Sequence, residues 1–175
     1  MMWVDLVVIA ILFFSLIGGL LGGAVRSFFA LLALIIAIPV TGILYHLAAN
    51  LLSFLQSQNW ENFLGFFITF ALIGLIINLI FIIPTRVIEK AWLIKGILFR
   101  LIGGILNVFD AAIGMVLFVL VLRAYPVMVW LEHVVSQSTI LTWLSLHFSF
   151  VHWLLPQLPQ HAITSLIASV ARWSI

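Results

Sequence analysis

Asp110 lies inside an apolar run that opens after Arg100 and reaches Tyr125-Pro126. About nine residues into a helix places it about 13 Å along the axis. A carboxylate at such a depth in a membrane costs several kcal/mol unless it is neutral, paired or hydrated, and it reads by default as functional. Asn107, one turn earlier, and Asn78, six residues before Pro84, are polar side chains at similar depth. Two chemistries fit the trio. Asp110 is a protonated structural carboxyl bonded to Asn78, or it lines a polar path for transport or gating. Aspartyl proteolysis within a membrane needs a second buried carboxylate, and the sequence offers Asp110 alone.

Other reactive groups are sparse. His147 and His152 are five apart, a poor spacing for two metal ligands on one helix face, and His46, His133 and His161 fall in separate segments. They read as polar ends snorkelling to an interface, with no metal site. There is no cysteine, hence no disulfide, thiolate ligand or thiol nucleophile. Fingerprints of hydrolases, zinc proteases, phosphate loops and dinucleotide folds are missing. The chain is expected to be no enzyme and to carry no cofactor.

Side chains this few must be positioned by elements built for lipid. The 175 residues are 66% hydrophobic and 7% charged, with a net charge of +2 and a mean hydropathy of +1.37. Globular domains carry about 25% charged residues, so a soluble domain and a nucleic-acid binder are both excluded. A spanning helix needs about 20 apolar residues. Charges delimit four such runs, giving an all-α polytopic domain over residues 1–131 with spans at about 6–25, 28–52, 63–84 and 101–125. The first run lacks the basic start of a signal peptide and carries Asp5 there, so it reads as a retained helix.

The connections carry the orientation. Arg26 marks the first, and Arg86, Lys90, Lys95 and Arg100 against Glu89 mark the third, while Asp5 and Glu61 mark the opposite side. Positive charge stays in the cytoplasm, which puts both termini outside. Residues 85–100 mix basic and apolar side chains and read as a short amphipathic helix at the inner headgroups. An extension of the third span past Pro84 is the other reading. The tail, 132–175, repeats polar residues at Ser138, Thr142, Ser145, Ser149 and His152, one stripe along a helix. That helix lies in the outer interface, as its tryptophans favour, or stands with its stripe against other helices. A last amphipathic helix is expected from about residue 162.

Small residues mark where helices approach. Gly18/Gly22 and Gly19/Gly23 are overlapping pairs four apart on the first span, and Gly103, Asn107, Ala111 and Gly114 form a small-residue face on the fourth. These faces allow close backbone contact in lipid. The pattern predicts that one glycine face of the first span meets the fourth span and the other meets a second copy, in a homo-oligomer.

With the spans placed, the chain resembles the bacterial colicin V production protein family. The resemblance rests on Asp5 before the first helix, Gly23 and Arg26 at its inner end, the pair Glu89-Lys90, and Arg100 with Gly103 opening the last helix. It covers about residues 3–155. Ser27 stands where the family usually has an acid, Phe99 where it has a polar residue, and Asp110 on a face that is usually small or basic. The resemblance implies a protein of the bacterial cytoplasmic membrane, with four helices and no established chemistry. It implies a link to toxin export and envelope integrity, with the lipid bilayer and other envelope or export proteins as partners.

Overall fold

The computed structural model describes residues 3–52, 57–91, 96–125, 127, 131, 135, 137–148 and 151. Four helices hold nearly all of them: α1 (Trp3–Leu51), α2 (Gln58–Ala91), α3 (Ile97–Ala124) and α4 (Thr139–His147). No strand occurs among the described residues. Three of the helices, α1 to α3, are long and apolar enough to cross a membrane. Helix is the expected answer for such runs, because lipid offers no partner to an unpaired backbone group.

Helix α1 is not straight. Gly23 has φ 78° and ψ 169°, a non-helical conformation, so α1 consists of two limbs, 3–22 and 24–51. Contacts along α3 give the direction of each limb. Ser15 meets Asn107 and Gly19 meets Gly103, so the first limb runs antiparallel to α3. Ala24 meets Gly103 and Tyr45 meets Tyr125, so the second limb runs parallel to it. The chain therefore reverses at Gly23. A connection is expected around Arg26, whereas the turn is one residue wide and lies three residues earlier. Only a residue without Cβ adopts that backbone cheaply. Helix α2 then packs antiparallel to the second limb, with Gly65 against Ala49 and Phe81 against Phe29.

The second departure concerns residues 85–100. Residues 85–91 continue α2 straight through Pro84, and 97–100 are already the first turn of α3. No separate amphipathic helix exists among the described residues there, and 92–95 lie outside them. Proline removes the N–H that would bond the carbonyl of residue 80. The next side chain, Thr85, donates its hydroxyl to the carbonyl of Phe81 at 2.6 Å. One missing bond in a long apolar helix does not end it.

In the tail, α4 is nine residues long, about 13 Å, too short for a fifth span over 134–155. Ser138 and Ser145 are buried against the bundle along with Leu141 and Leu144. The polar stripe thus faces other helices at these positions. Ser149, His152 and the segment after 162 lie outside the described residues.

The core is lopsided. Its buried side chains, among them Val4, Val8, Ile38, Tyr45, Phe66, Val116, Leu120 and Leu144, gather where the ends of α1, the start of α2, the end of α3 and α4 meet. Helix α3 is the most enclosed of the long helices and α2 the least. At the Gly23 end, glycine contacts replace side-chain packing, and a cavity opens.

Candidate functional site

The cavity holds about 940 Å³ and is bounded by all three long helices. Gly18, Leu21 and Gly22 come from the first limb of α1, and Arg26, Ser27, Phe29 and Ala30 from the second. Asn78, Phe81, Ile82, Thr85, Arg86 and Glu89 come from α2, and Asn107 from α3. Positions 78, 81, 82, 85 and 89 follow the three- and four-residue spacing of one helix face. Asn78 to Glu89 spans about 16 Å of axis at 1.5 Å per residue. The charged groups thus sit at one end of the cavity and the amides deeper in.

The reversal at Gly23 builds one wall. It folds Arg26 back beside the first limb, and a Cβ added at Gly22 would sit 3.3 Å from Arg26 Cδ. Gly22 makes room for the aliphatic stem of Arg26. Among the described residues neither Arg26 nor Arg86 has a hydrogen-bonding or ion-pairing partner. Two guanidinium groups and one carboxylate therefore face a space walled by Leu21, Phe29, Phe81 and Ile82. Such a site suits an anion that carries an apolar group.

The intramembrane polar trio divides. Asn107 donates its amide to the Ser15 carbonyl at 2.6 Å and to Ser15 Oγ at 3.0 Å, while Ser15 Oγ donates back to the Asn107 carbonyl at 2.6 Å. This reciprocal set clamps α3 to the first limb of α1. Asn78 spends one N–H on the Gly74 carbonyl of its own helix, at 2.8 Å. Both asparagines line the cavity and Asp110 does not. Asp110 is half-buried on α3, on the same stripe as Gly103, Asn107 and Gly114. No hydrogen bond joins it to Asn78 or Asn107.

The buried carboxyl is Asp5, which corrects the reading of Asp110 as the only one. Asp5 is 3% exposed, and its Oδ1 accepts from Ser138 Oγ at 2.6 Å and from the Ile140 N–H at 3.4 Å. Ser138 Oγ in turn accepts from the Leu141 N–H at 3.2 Å, capping α4. The first residues of α1 therefore hold the start of α4. Sequence spacing cannot reveal a pair 133 residues apart. The signal available was a Ser immediately before an apolar helix, the pattern of an N-cap.

The glycines also separate. Gly19 has no room for a side chain: a Cβ there would strike the Gly103 carbonyl oxygen and lie 2.6 Å from Asn107 Cβ. One at Gly103 would lie 2.6 Å from the Gly19 carbonyl oxygen and 2.8 Å from the Ala24 nitrogen. Gly19, Gly23 and Gly103 thus interlock within one chain. Gly18 and Gly22 face the cavity, and a Cβ at Gly114 would meet nothing within 4 Å. Of the other signature residues, Arg100 and Glu89 are exposed, and Lys90 is the penultimate residue of α2. His46 lies on the Tyr45 ring and His147 on the Trp143 ring; the remaining histidines lie outside the described residues.

No match was found among curated proteins or solved structures. The family model described as colicin V production protein matches residues 4–170, nearly the whole length. The match runs from the first turn of α1 through the Gly23 reversal and the cavity helices into the tail, and on it this chain belongs to the colicin V production protein family.

Proposed function

We propose that this chain is a non-enzymatic accessory protein of the bacterial cytoplasmic membrane, a four-span scaffold that supports toxin export or upkeep of the envelope. Family membership supports the biological setting. The observation that carries the scaffold reading is the contrast between α3 and α2. The end of α3 is buried on every side, whereas α2 leaves Leu72, Leu75, Ile76, Leu79, Ile80, Ile83 and Val87 exposed. A rigid centre with a broad apolar flank suits contact with lipid and with other membrane helices.

The limbs of α1 contain 20 and 28 residues, about 30 and 42 Å of helix. Each is long enough for one crossing, which with α2 and α3 makes four. Arg26, Arg86 and Arg100 share the Gly23 end and Asp5 and Glu61 the other, which favours a cytoplasmic Gly23 end and outside termini. Arg123, in the last turn of α3, stands at the outer end and weakens the asymmetry without reversing it. Self-association remains part of the proposal. With Gly19 and Gly23 spent on α3, the surface for a second copy falls to other faces.

A channel or transporter subunit with Asp110 on a polar path is the second reading; the asparagine-lined cavity supports a polar path, but Asp110 itself lies outside it. One experiment addresses both. In a strain that secretes a peptide toxin, deletion of the gene is expected to lower extracellular toxin or raise sensitivity to detergent. Wild type and Asp110→Asn are expected to restore it at equal protein levels. Loss of rescue by Asp110→Asn alone selects the transport reading. A deletion that alters neither toxin nor envelope removes the scaffold reading.

A further inference from the structure

The cavity at the Gly23 end has a chemistry that neither helix packing nor scaffolding requires. Arg26 and Arg86 face it from two different helices, and among the described residues nothing pairs with either. Glu89 leaves the mouth with one net positive charge. Ser27 and Thr85 line the wall, and Thr85 keeps its hydroxyl oxygen as an acceptor after donating to Phe81. Below this level the wall is Leu21, Phe29, Phe81 and Ile82, with Leu21 and Ile82 also exposed on the outside of the bundle. A ligand can therefore keep an apolar portion beside the helices while its head reaches the cavity.

We propose that this cavity is a binding site for an anionic phospholipid, which enters from the side with its phosphate between Arg26 and Arg86. Guanidinium groups bind phosphate oxygens through paired, charge-assisted hydrogen bonds, and two from separate helices discriminate anionic from zwitterionic headgroups. Acyl chains follow the Leu21 and Ile82 edges. The assignment requires only that these helices lie in a membrane. It holds for either orientation and for either reading of function.

Native mass spectrometry of the purified full chain tests it, with phosphatidylglycerol, phosphatidylcholine and inorganic phosphate as separate probes. Phosphatidylglycerol is expected to remain bound and phosphatidylcholine to be lost. Arg26→Gln and Arg86→Gln should each weaken retention about tenfold, the scale of one charge-assisted hydrogen bond, whereas Arg100→Gln, an arginine equally exposed but outside the cavity, should leave it unchanged. Ile82→Trp, which fills the cavity from an exposed position without altering charge, should displace the lipid. Equal losses for Arg26→Gln and Arg100→Gln mean that surface charge alone attracts the lipid, and overturn the site. Inorganic phosphate that competes at equal concentration makes the acyl chains irrelevant, and overturns the lipid assignment in favour of a soluble anion.

Discussion

Asp5 and Gly23 each do something their residue type alone makes possible. Asp5 is a buried acceptor for Ser138 and Ile140. Asp5→Ala strands the Ser138 hydroxyl in an apolar surround, which costs about 1–3 kcal/mol for an unsatisfied buried group. The expected outcome is faster amide exchange at Leu141 and a lower unfolding midpoint in mixed micelles, with Asp5→Asn closer to wild type because its carbonyl still accepts. Gly23 holds φ 78° with Phe99 Cε1 only 3.3 Å from any added Cβ. Gly23→Ala should cost about 1–3 kcal/mol from backbone strain. Gly22→Ala meets only the flexible Arg26 stem, and helix propensity favours it by up to about 1 kcal/mol. A Gly22→Ala loss equal to that of Gly23→Ala, in the same unfolding assay, would contradict the turn assignment.

The place of each apolar run was readable, while helix lengths and boundaries were not. Pro84 has the appearance of a stop, yet α2 runs on to Ala91, because continuing costs one hydrogen bond and ending in lipid would cost several. The small-residue faces were also visible as spacing, but Gly103 and Gly114 look alike in sequence and differ in space. Gly103 touches backbone atoms of Gly19 and Ala24, which no rotamer change can relieve. Gly103→Ala is expected to destabilise by about 1–3 kcal/mol through overpacking, and Gly19→Leu by more, through loss of contact within the chain before any effect on association. Gly114→Ala enters open space and should be neutral or stabilising. Unfolding of the three variants side by side in detergent checks the order, and an intolerant Gly114 would place an unseen contact there.

Both termini are expected on the side away from the Gly23 end and outside the cytoplasm. Reporters active only outside the cytoplasm should give signal when fused after Glu61 and after Ile175, and a reporter active only inside should give signal when inserted at 92–95. A cytoplasmic signal at Ile175 with an outside signal at Glu61 would require an additional crossing after α3. Association is checked on the same protein by native mass spectrometry in nanodiscs. More than one copy per particle is expected, and Gly18→Ala should leave that number unchanged, since Gly18 faces the cavity and Asn107.

Residue composition determined the solvent of this chain, its all-helical class and the approximate place of each apolar run, because the burial of backbone polar groups in lipid leaves no other regular structure to a continuous apolar segment. The signature residues from Asp5 to Gly103 were legible on their own terms and carried the family. What folding alone decided is which of these residues meet. Asn78 and Asn107 reach one cavity while Asp110, three residues from Asn107, stays out of it, and Asp5 finds Ser138 across 133 residues. Local periodicity fixes the face a residue occupies on its own helix. The partner opposite that face depends on where the chain reverses, and here the reversal rests on one positive-φ glycine whose neighbour, Gly22, looks the same in sequence.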